Sequence, residues 1–348
     1  MASRGTLDVA GCIHFSREEL EGATDKFNEK PVHRGGCKIG EGGFGPVYKG
    51  ILKYTEVAIK LLNTAAIPKD KKGQELFAQQ FDTELRVLTK YRHPNLVVLL
   101  GYHNSPSLKA LVYEYLPNGT LEDALETGLE GRSKEGKAKI SGIHLPWMCR
   151  ISIATDTARG LAYLHTADTV PLVHRDVKSA NILLDLAFRA KVGDFGLARA
   201  LQEDGNNRTH TVMGTSGYIP PEYYRGEITT KMDTYSFGVV LLEVLSGLRP
   251  YDSRRSPKDL VTYMEQDMDK NNGSILCTKI DGTAGNWPSE SFIELFGIAR
   301  KCLNSKVYAR PEMTEVCQNL MGLMTKSAKL NAELEQYSKQ TTGAKQRQ

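Results

Sequence analysis

Short apolar and alternating runs occupy the first third of the chain, and longer helical stripes follow. Lys38 to Ile39, Val47 to Tyr48, Thr55 to Leu62, Leu96 to Tyr102 and Ala110 to Tyr115 are punctuated by Gly, Pro, Asn and Ser and predict strands. One helix interrupts them, from Gln74 to Lys90. In it Phe77, Phe81, Glu84 and Leu88 recur at steps of four, three and four, so they line one face. Glu84 thus sits inside an apolar stripe, which is costly unless a cation meets it. Ahead of the strands, Phe15 to Phe27 predicts a short helix opened by Ser16, with Glu19 completing a capping box.

From Leu116 onward the pattern is mainly helical. Leu121 to Glu126, Trp147 to His165, Thr234 to Ser246, Pro257 to Lys270, Ser291 to Leu303 and Glu312 to Met324 predict helices, and Val173 to Ala200 reads as loop and short strand. The Gly- and Lys-rich stretch 128–142 predicts a mobile surface loop. The polar stretch from Thr325 to Gln348 extends the last helix before fraying. Strands with one helix, then helices, make an α+β chain of two unlike lobes with a cleft between them.

Composition narrows the function. The 348 residues suit two lobes, and 40% apolar with 25% charged residues is a globular balance. A net charge of +4 is too mild for a dedicated nucleic-acid binder. No apolar run reaches the roughly 18 residues that a membrane helix needs. The best stretch, Phe237 to Leu248, is short and contains Glu243, and the N-terminus lacks a signal-peptide core. A cytoplasmic location is expected. The six cysteines form no Cys-x-x-Cys pair and predict reduced thiols.

The candidate chemistry begins at Gly40, Gly42 and Gly45, where missing Cβ atoms let a backbone approach phosphates. A dinucleotide-binding turn is excluded, because a second strand with Val47 follows and not a helix. On the next strand Ala58 and Lys60 face the same way. Lys60 can neutralise phosphate there, held by Glu84. His174-Arg175-Asp176-Val177-Lys178-Ser179-Ala180-Asn181 is more specific. Asp176 can orient a hydroxyl nucleophile and accept its proton, Lys178 can stabilise a transferring phosphoryl group, and Asn181 with Asp194 of Asp-Phe-Gly can hold Mg²⁺.

In that order, with Pro-Pro-Glu at 220–222, these motifs resemble a eukaryotic-type protein kinase across residues 36 to 324. The resemblance implies a bilobal fold, a five-stranded N-lobe with one regulatory helix (about 36–115) and a mainly helical C-lobe (about 116–324). An extension, 1–35, precedes it and a polar tail, 325–348, follows. It implies ATP in the cleft with Mg²⁺ or Mn²⁺, Tyr113 as gatekeeper behind the adenine, and backbone hinge bonds from Glu114 and Leu116. Asp233 would brace the catalytic loop, Glu222 would pair with Arg310, and Leu88, Leu99, Phe195 and His174 would stack as a spine. Lys178, two residues after Asp176, and Thr215 fit serine/threonine kinases, with Thr215 supporting Asp176 and Lys178. Arg175 together with Thr209 and Thr211 implies activation by phosphorylation of that segment.

Phe15 to Leu20, Ala23 to Phe27 and Leu111 to Leu121 resemble the receptor-like/Pelle group of kinases. Asn28 to Gly50, Phe81 to Glu84, His174 to Asp185 and Arg225 to Gly247 are most similar to the animal interleukin-receptor-associated kinases. Plant receptor-like cytoplasmic kinases are the alternative. The death domain of the animal family does not fit in the first 30 residues, so a fragment, a short isoform or a lineage that lost it is the expectation. The implied partners are protein substrates with Ser/Thr acceptors, an adaptor or related kinase in a receptor complex, and a second copy during trans-autophosphorylation. A weakly active scaffold is the competing reading, and the presence of Lys60, Asp176 and Asp194 argues against it.

Overall fold

The computed structural model describes residues 7–9, 11–42, 45–62, 71–126, 145–202, 207–209, 213–266 and 274–345. The expected loop at 128–142, the glycine-loop tip Gly43 and Phe44, and Thr211 lie outside them.

The first lobe holds β1 (Leu7–Val9), β2 (Cys12–His14), α1 (Arg17–Ala23), β3 (Lys38–Gly42), β4 (Gly45–Leu52), β5 (Thr55–Leu61), α2 (Lys71–Lys90), β6 (Leu99–Asn104) and β7 (Lys109–Glu114). The sheet runs β1-β2-β6-β7-β5-β4-β3. The five expected strands are β3 to β7, paired antiparallel. Within the expected N-terminal extension, β2 adds to the sheet by pairing parallel with β6, and β1 pairs with β2.

The reason lies on the outer sheet face. Strand alternation puts Val57 and Ile59 of β5 and Ala110 and Val112 of β7 on the side away from Lys60, and all four are buried. Phe15 and Leu20 cover them in one apolar cluster. The capping box of α1 forms as expected. Ser16 Oγ accepts from Glu19 N at 3.1 Å, and Ser16 N donates to Glu19 Oε2 at 2.8 Å.

The second lobe contains α3 (Leu121–Glu126), α4 (Trp147–Thr166), β8 (Leu172–Val173), β9 (Ile182–Leu184), β10 (Ala190–Val192), β11 (Arg199–Ala200), α5 (Thr230–Ser246), α6 (Leu260–Glu265), α7 (Ser274–Lys279), α8 (Ser289–Cys302) and α9 (Met313–Lys345). Helix α5 is apolar on all sides and buried from Phe237 to Ser246, so it forms the centre of this lobe. It packs on α4, α6 and α8. It ends at Gly247, whose φ of +66° suits glycine and where a Cβ would lie 2.7 Å from Asp281 Oδ2. Helix α6 starts later than expected because Asp259 caps it, accepting from Thr262 N at 2.8 Å. Trp147 and Trp287 pack together with ring centroids 6.3 Å apart, and all six cysteines are free. No described helix is long and apolar enough to cross a membrane.

Candidate active site

Register fixes the roof of the cleft. Gly40 pairs with Val47, and Val47 pairs with Lys60. Paired residues of an antiparallel sheet point to the same face, so these three form one row across β3, β4 and β5. Gly42 pairs with Gly45 at the turn of the glycine loop, and a Cβ at Gly40 would meet nothing within 4 Å. Ala58 and Tyr113 pair in a second row on the same face.

Beneath that face α2 presents Phe81, Glu84 and Leu88, all buried. The cation that Glu84 requires is Lys60, whose Nζ lies 3.0 Å from Glu84 Oε2 and 2.8 Å from Asp194 Oδ1. Burial works against the ammonium charge. The carboxylates of Asp194 and Glu84 override it and hold Lys60 well above the usual lysine range. For Asp194 burial opposes ionisation and the Lys60 charge prevails, keeping its carboxyl below the usual range. The sequence did not reveal that Tyr113 joins this group. Its hydroxyl donates to Glu84 Oε1 at 2.7 Å.

The loop from His174 to Asn181 hangs from α5. Asp233 accepts from His174 N at 2.8 Å, Arg175 N at 2.9 Å and His165 Nε2 at 2.8 Å. Burial opposes its ionisation, but the His165 bond and charge, then His174, hold its carboxyl below the usual range. Arg175 adopts a φ of +71° in this loop, and Asp194 one of +64°. Such strain persists only where surrounding bonds over-determine it. His174 Nε2 donates to Gly193 O at 3.0 Å, while Nδ1 accepts from Asp176 N at 3.2 Å. Both ring nitrogens are therefore engaged in structure, and the ring lies 4.9 Å from that of Phe195. Phe195, Leu88 and Leu99 are buried with it.

Polar groups converge around Asp176. Lys178 Nζ donates to Asp176 Oδ2 at 2.7 Å and to Thr215 Oγ1 at 2.8 Å, and the Thr215 hydroxyl donates to Asp176 Oδ1 at 2.9 Å. Asn181 Nδ2 donates to Asp176 O at 2.9 Å and to Asp176 Oδ2 at 3.1 Å. That use of the amide nitrogen leaves the amide oxygen for a hard cation. Gly193 N donates to Asn181 O at 2.9 Å, tying Asn181 to the residue before Asp194. One carboxylate and one amide oxygen are the donor set that Mg²⁺ accepts alongside water and phosphate, so the residues fit that ion.

At the edge of the cleft, Glu114 uses its carboxylate structurally. Oε1 accepts from Val98 N at 2.9 Å and meets Lys191 Nζ at 2.9 Å. Leu116 O accepts from Gly119 N at 3.3 Å. Glu222 and Arg310 form the expected buried pair, with Arg310 Nη2 to Glu222 Oε2 at 2.9 Å.

A second buried network escaped the sequence reading. Glu243 of α5 accepts from Ser179 Oγ at 2.8 Å and from Tyr218 OH at 2.9 Å, linking the loop 174–181 to the segment after Thr215. Burial pushes its carboxyl up to about 8, against the two hydroxyl bonds. The only sequence signal was a Glu interrupting an apolar helix.

A family profile described as "Protein kinase domain" matches residues 34–321. Among curated proteins, chitin elicitor receptor kinase 1 of Physcomitrium patens is 37% identical, with 91% of this chain and 47% of that protein covered. Wall-associated receptor kinase 5 of Arabidopsis thaliana is 39% identical over 90% of this chain and 40% of its own length. An Arabidopsis thaliana protein named as an LRR receptor-like serine/threonine-protein kinase is 38% identical over 89% of this chain and 31% of its length. The chain thus spans less than half of each of these three relatives.

Proposed function

This chain belongs to the protein kinase domain family, and on that premise we propose that it transfers the γ-phosphate of ATP to Ser and Thr hydroxyls of protein substrates. The observation that carries this reading is the triangle of Asp176, Lys178 and Thr215. A neutral hydroxyl is a poor nucleophile, so positioning and charge stabilisation do most of the work. Asp176 orients the acceptor hydroxyl and takes its proton. Lys178 sits beside the same carboxylate, where charge on the transferring group develops. Lys60 neutralises the phosphates of the donor and is itself fixed by Glu84. Asn181 and Asp194 would hold Mg²⁺ or Mn²⁺, which supplies charge neutralisation on the phosphate oxygens when bound. Gly40, Gly42, Gly45, Val47 and Ala58 line the donor site, Tyr113 closes its back, and Glu114 and Leu116 offer backbone groups to the base.

The three relatives are receptor kinases of plants, which favours a receptor-like kinase of plant type over an animal Toll/interleukin-receptor pathway. Signalling close to a receptor, with an adaptor or related kinase as partner, follows from either. Activation by phosphorylation at Thr209 or Thr211 belongs to the same reading. Thr209 N donates to Gly226 O at 2.9 Å, which places the backbone of Thr209 on the segment following Pro-Pro-Glu. Ala at both positions should lower activity, and undiminished activity would reject this route.

The acceptor class is tested with radiolabelled MgATP and peptide pools carrying Ser/Thr or Tyr alone. Label in the Ser/Thr pool, lost in Asp176→Asn, is expected. Label confined to the Tyr pool would overturn the assignment.

A further inference from the structure

Strand β2 and helix α1 lie before the matched residues 34–321. We propose that the segment 12–27 is a positioning element for catalysis, clipped to β6 so as to hold Leu99 and, through it, α2 and Glu84. The rate part of this proposal rests on the kinase reading above.

Four contacts make the clip. Ile13 pairs with Gly101 and His14 with Tyr102, and Phe15 N donates to Tyr102 O at 2.9 Å. His103 Nδ1 meets Phe15 O at 2.8 Å. A carbonyl only accepts, so Nδ1 carries the proton there. Gly101 is what allows the approach, because a Cβ there would lie 2.3 Å from Ile13 O and 2.5 Å from the Phe15 ring. Only a bare backbone lets the two strands close.

The clip touches the catalytic machinery at a specific point. Strand β6 begins with Leu99, buried and packed in the same cluster as Cys12, Phe81, Leu85 and Leu88. Helix α2 packs on β6 and carries Glu84. Cys12, from the clip, is wholly buried with its Sγ 4.0 Å from Leu99 O. Removing the clip would leave β6 as an unpaired sheet edge with Leu99 at its start. A packed side chain with a vacated neighbour is free to shift, and coupling passes through such contiguous packing.

The test compares Gly101→Ala, His103→Leu and His103→Asn in the full chain. The amide of Asn can replace the Nδ1 donor to Phe15 O, and Leu cannot. Two readouts are taken well below the unfolding temperature. They are kcat against KM for MgATP, and amide hydrogen exchange in β6, α2 and α5. Gly101→Ala and His103→Leu should lower kcat by roughly two- to thirtyfold and speed exchange in β6 and α2, with α5 unchanged. His103→Asn should restore both. Lowered thermal stability with unchanged kcat and unchanged α2 exchange would make the segment a mere stabiliser and overturn the proposal. Exchange reads the coupling without any turnover, so an inactive chain with faster α2 exchange would refute the kinase reading while leaving the clip intact. Should Gly101→Ala unfold α5 as well, the two His103 variants decide in the same way.

Discussion

Tyr113 and Glu84, which stand on a strand and a helix 29 positions apart, share a hydrogen bond of 2.7 Å. One oxygen of Glu84 accepts it, and the other meets Lys60 at 3.0 Å. Each oxygen of this buried carboxylate thus has a partner, which fixes α2 against the cleft. Burial, then the adjacent Glu84 charge, raise the phenol of Tyr113 well above the usual range, so it remains a donor at all working pH values.

Tyr113→Phe keeps the ring and removes only the donor. It should cost about 1–3 kcal/mol in denaturant unfolding, because a buried carboxylate oxygen loses its partner. Equal stability in the two proteins would show that the bond contributes nothing.

Lys60→Met leaves the buried Glu84 and the half-buried Asp194 with no shared cation. Phosphotransfer should fall by about two to three orders of magnitude. Unfolding should also become easier, since breaking a buried pair by removing one partner strands the other charge. Steady-state rates and urea melts check the two effects separately.

Glu243 gives a pH signature. Its folded carboxyl titrates near about 8 against an ordinary 4.5, so the native state keeps a proton that the unfolded chain releases. Its contribution to stability is fully present below the unfolded value and is lost as pH rises through about 8. The slope is at most about 1.4 kcal/mol per pH unit. Asp233 acts in the opposite sense. Its folded value is depressed, so its contribution is present above the ordinary carboxylate range and lost as pH falls through the folded value. Urea midpoints of the parent and Glu243→Gln should diverge between weakly acidic and neutral pH, the parent losing more on the way up. Parallel curves would contradict this assignment.

Thr215→Val removes the hydroxyl that joins Lys178 to Asp176. A roughly ten- to hundredfold loss in kcat is expected, with KM for ATP little changed, because misplacement of a catalytic group acts on the transition state. Thr215→Ser keeps the hydroxyl and should stay close to the parent. An effect on KM alone would place Thr215 in ATP binding instead.

Legibility in the sequence followed the distance over which each feature is encoded. Glu84 showed itself because a carboxylate inside an apolar helical stripe demands a partner. Asp176, Lys178 and Asn181 lie within six residues of one another, so their spacing alone carried the signal. The Ser16–Glu19 box was equally local. Tyr113 on Glu84 could not be read, because it depends on how a helix docks on a sheet. Strand β2 is three residues long, too short for any period, and its place beside β6 is set by a glycine far away in the chain. Helix α7 was missed for the same reason of length, at six residues. Glu243 was noticed only as a flaw in an apolar run, since its partners Ser179 and Tyr218 come from elsewhere.

The central claim is phosphotransfer by Asp176 with Lys60 and Asp194 in place. Its most direct test is to incubate the purified chain with MgATP, follow intact mass, and map phosphosites beside an Asp194→Asn control. Phosphate on Ser or Thr in the parent and none in the control is the predicted result. An unmodified parent that fails to label Ser/Thr peptides, while ATP with Mg²⁺ still protects it against heat, would contradict the account and leave a nucleotide-binding scaffold.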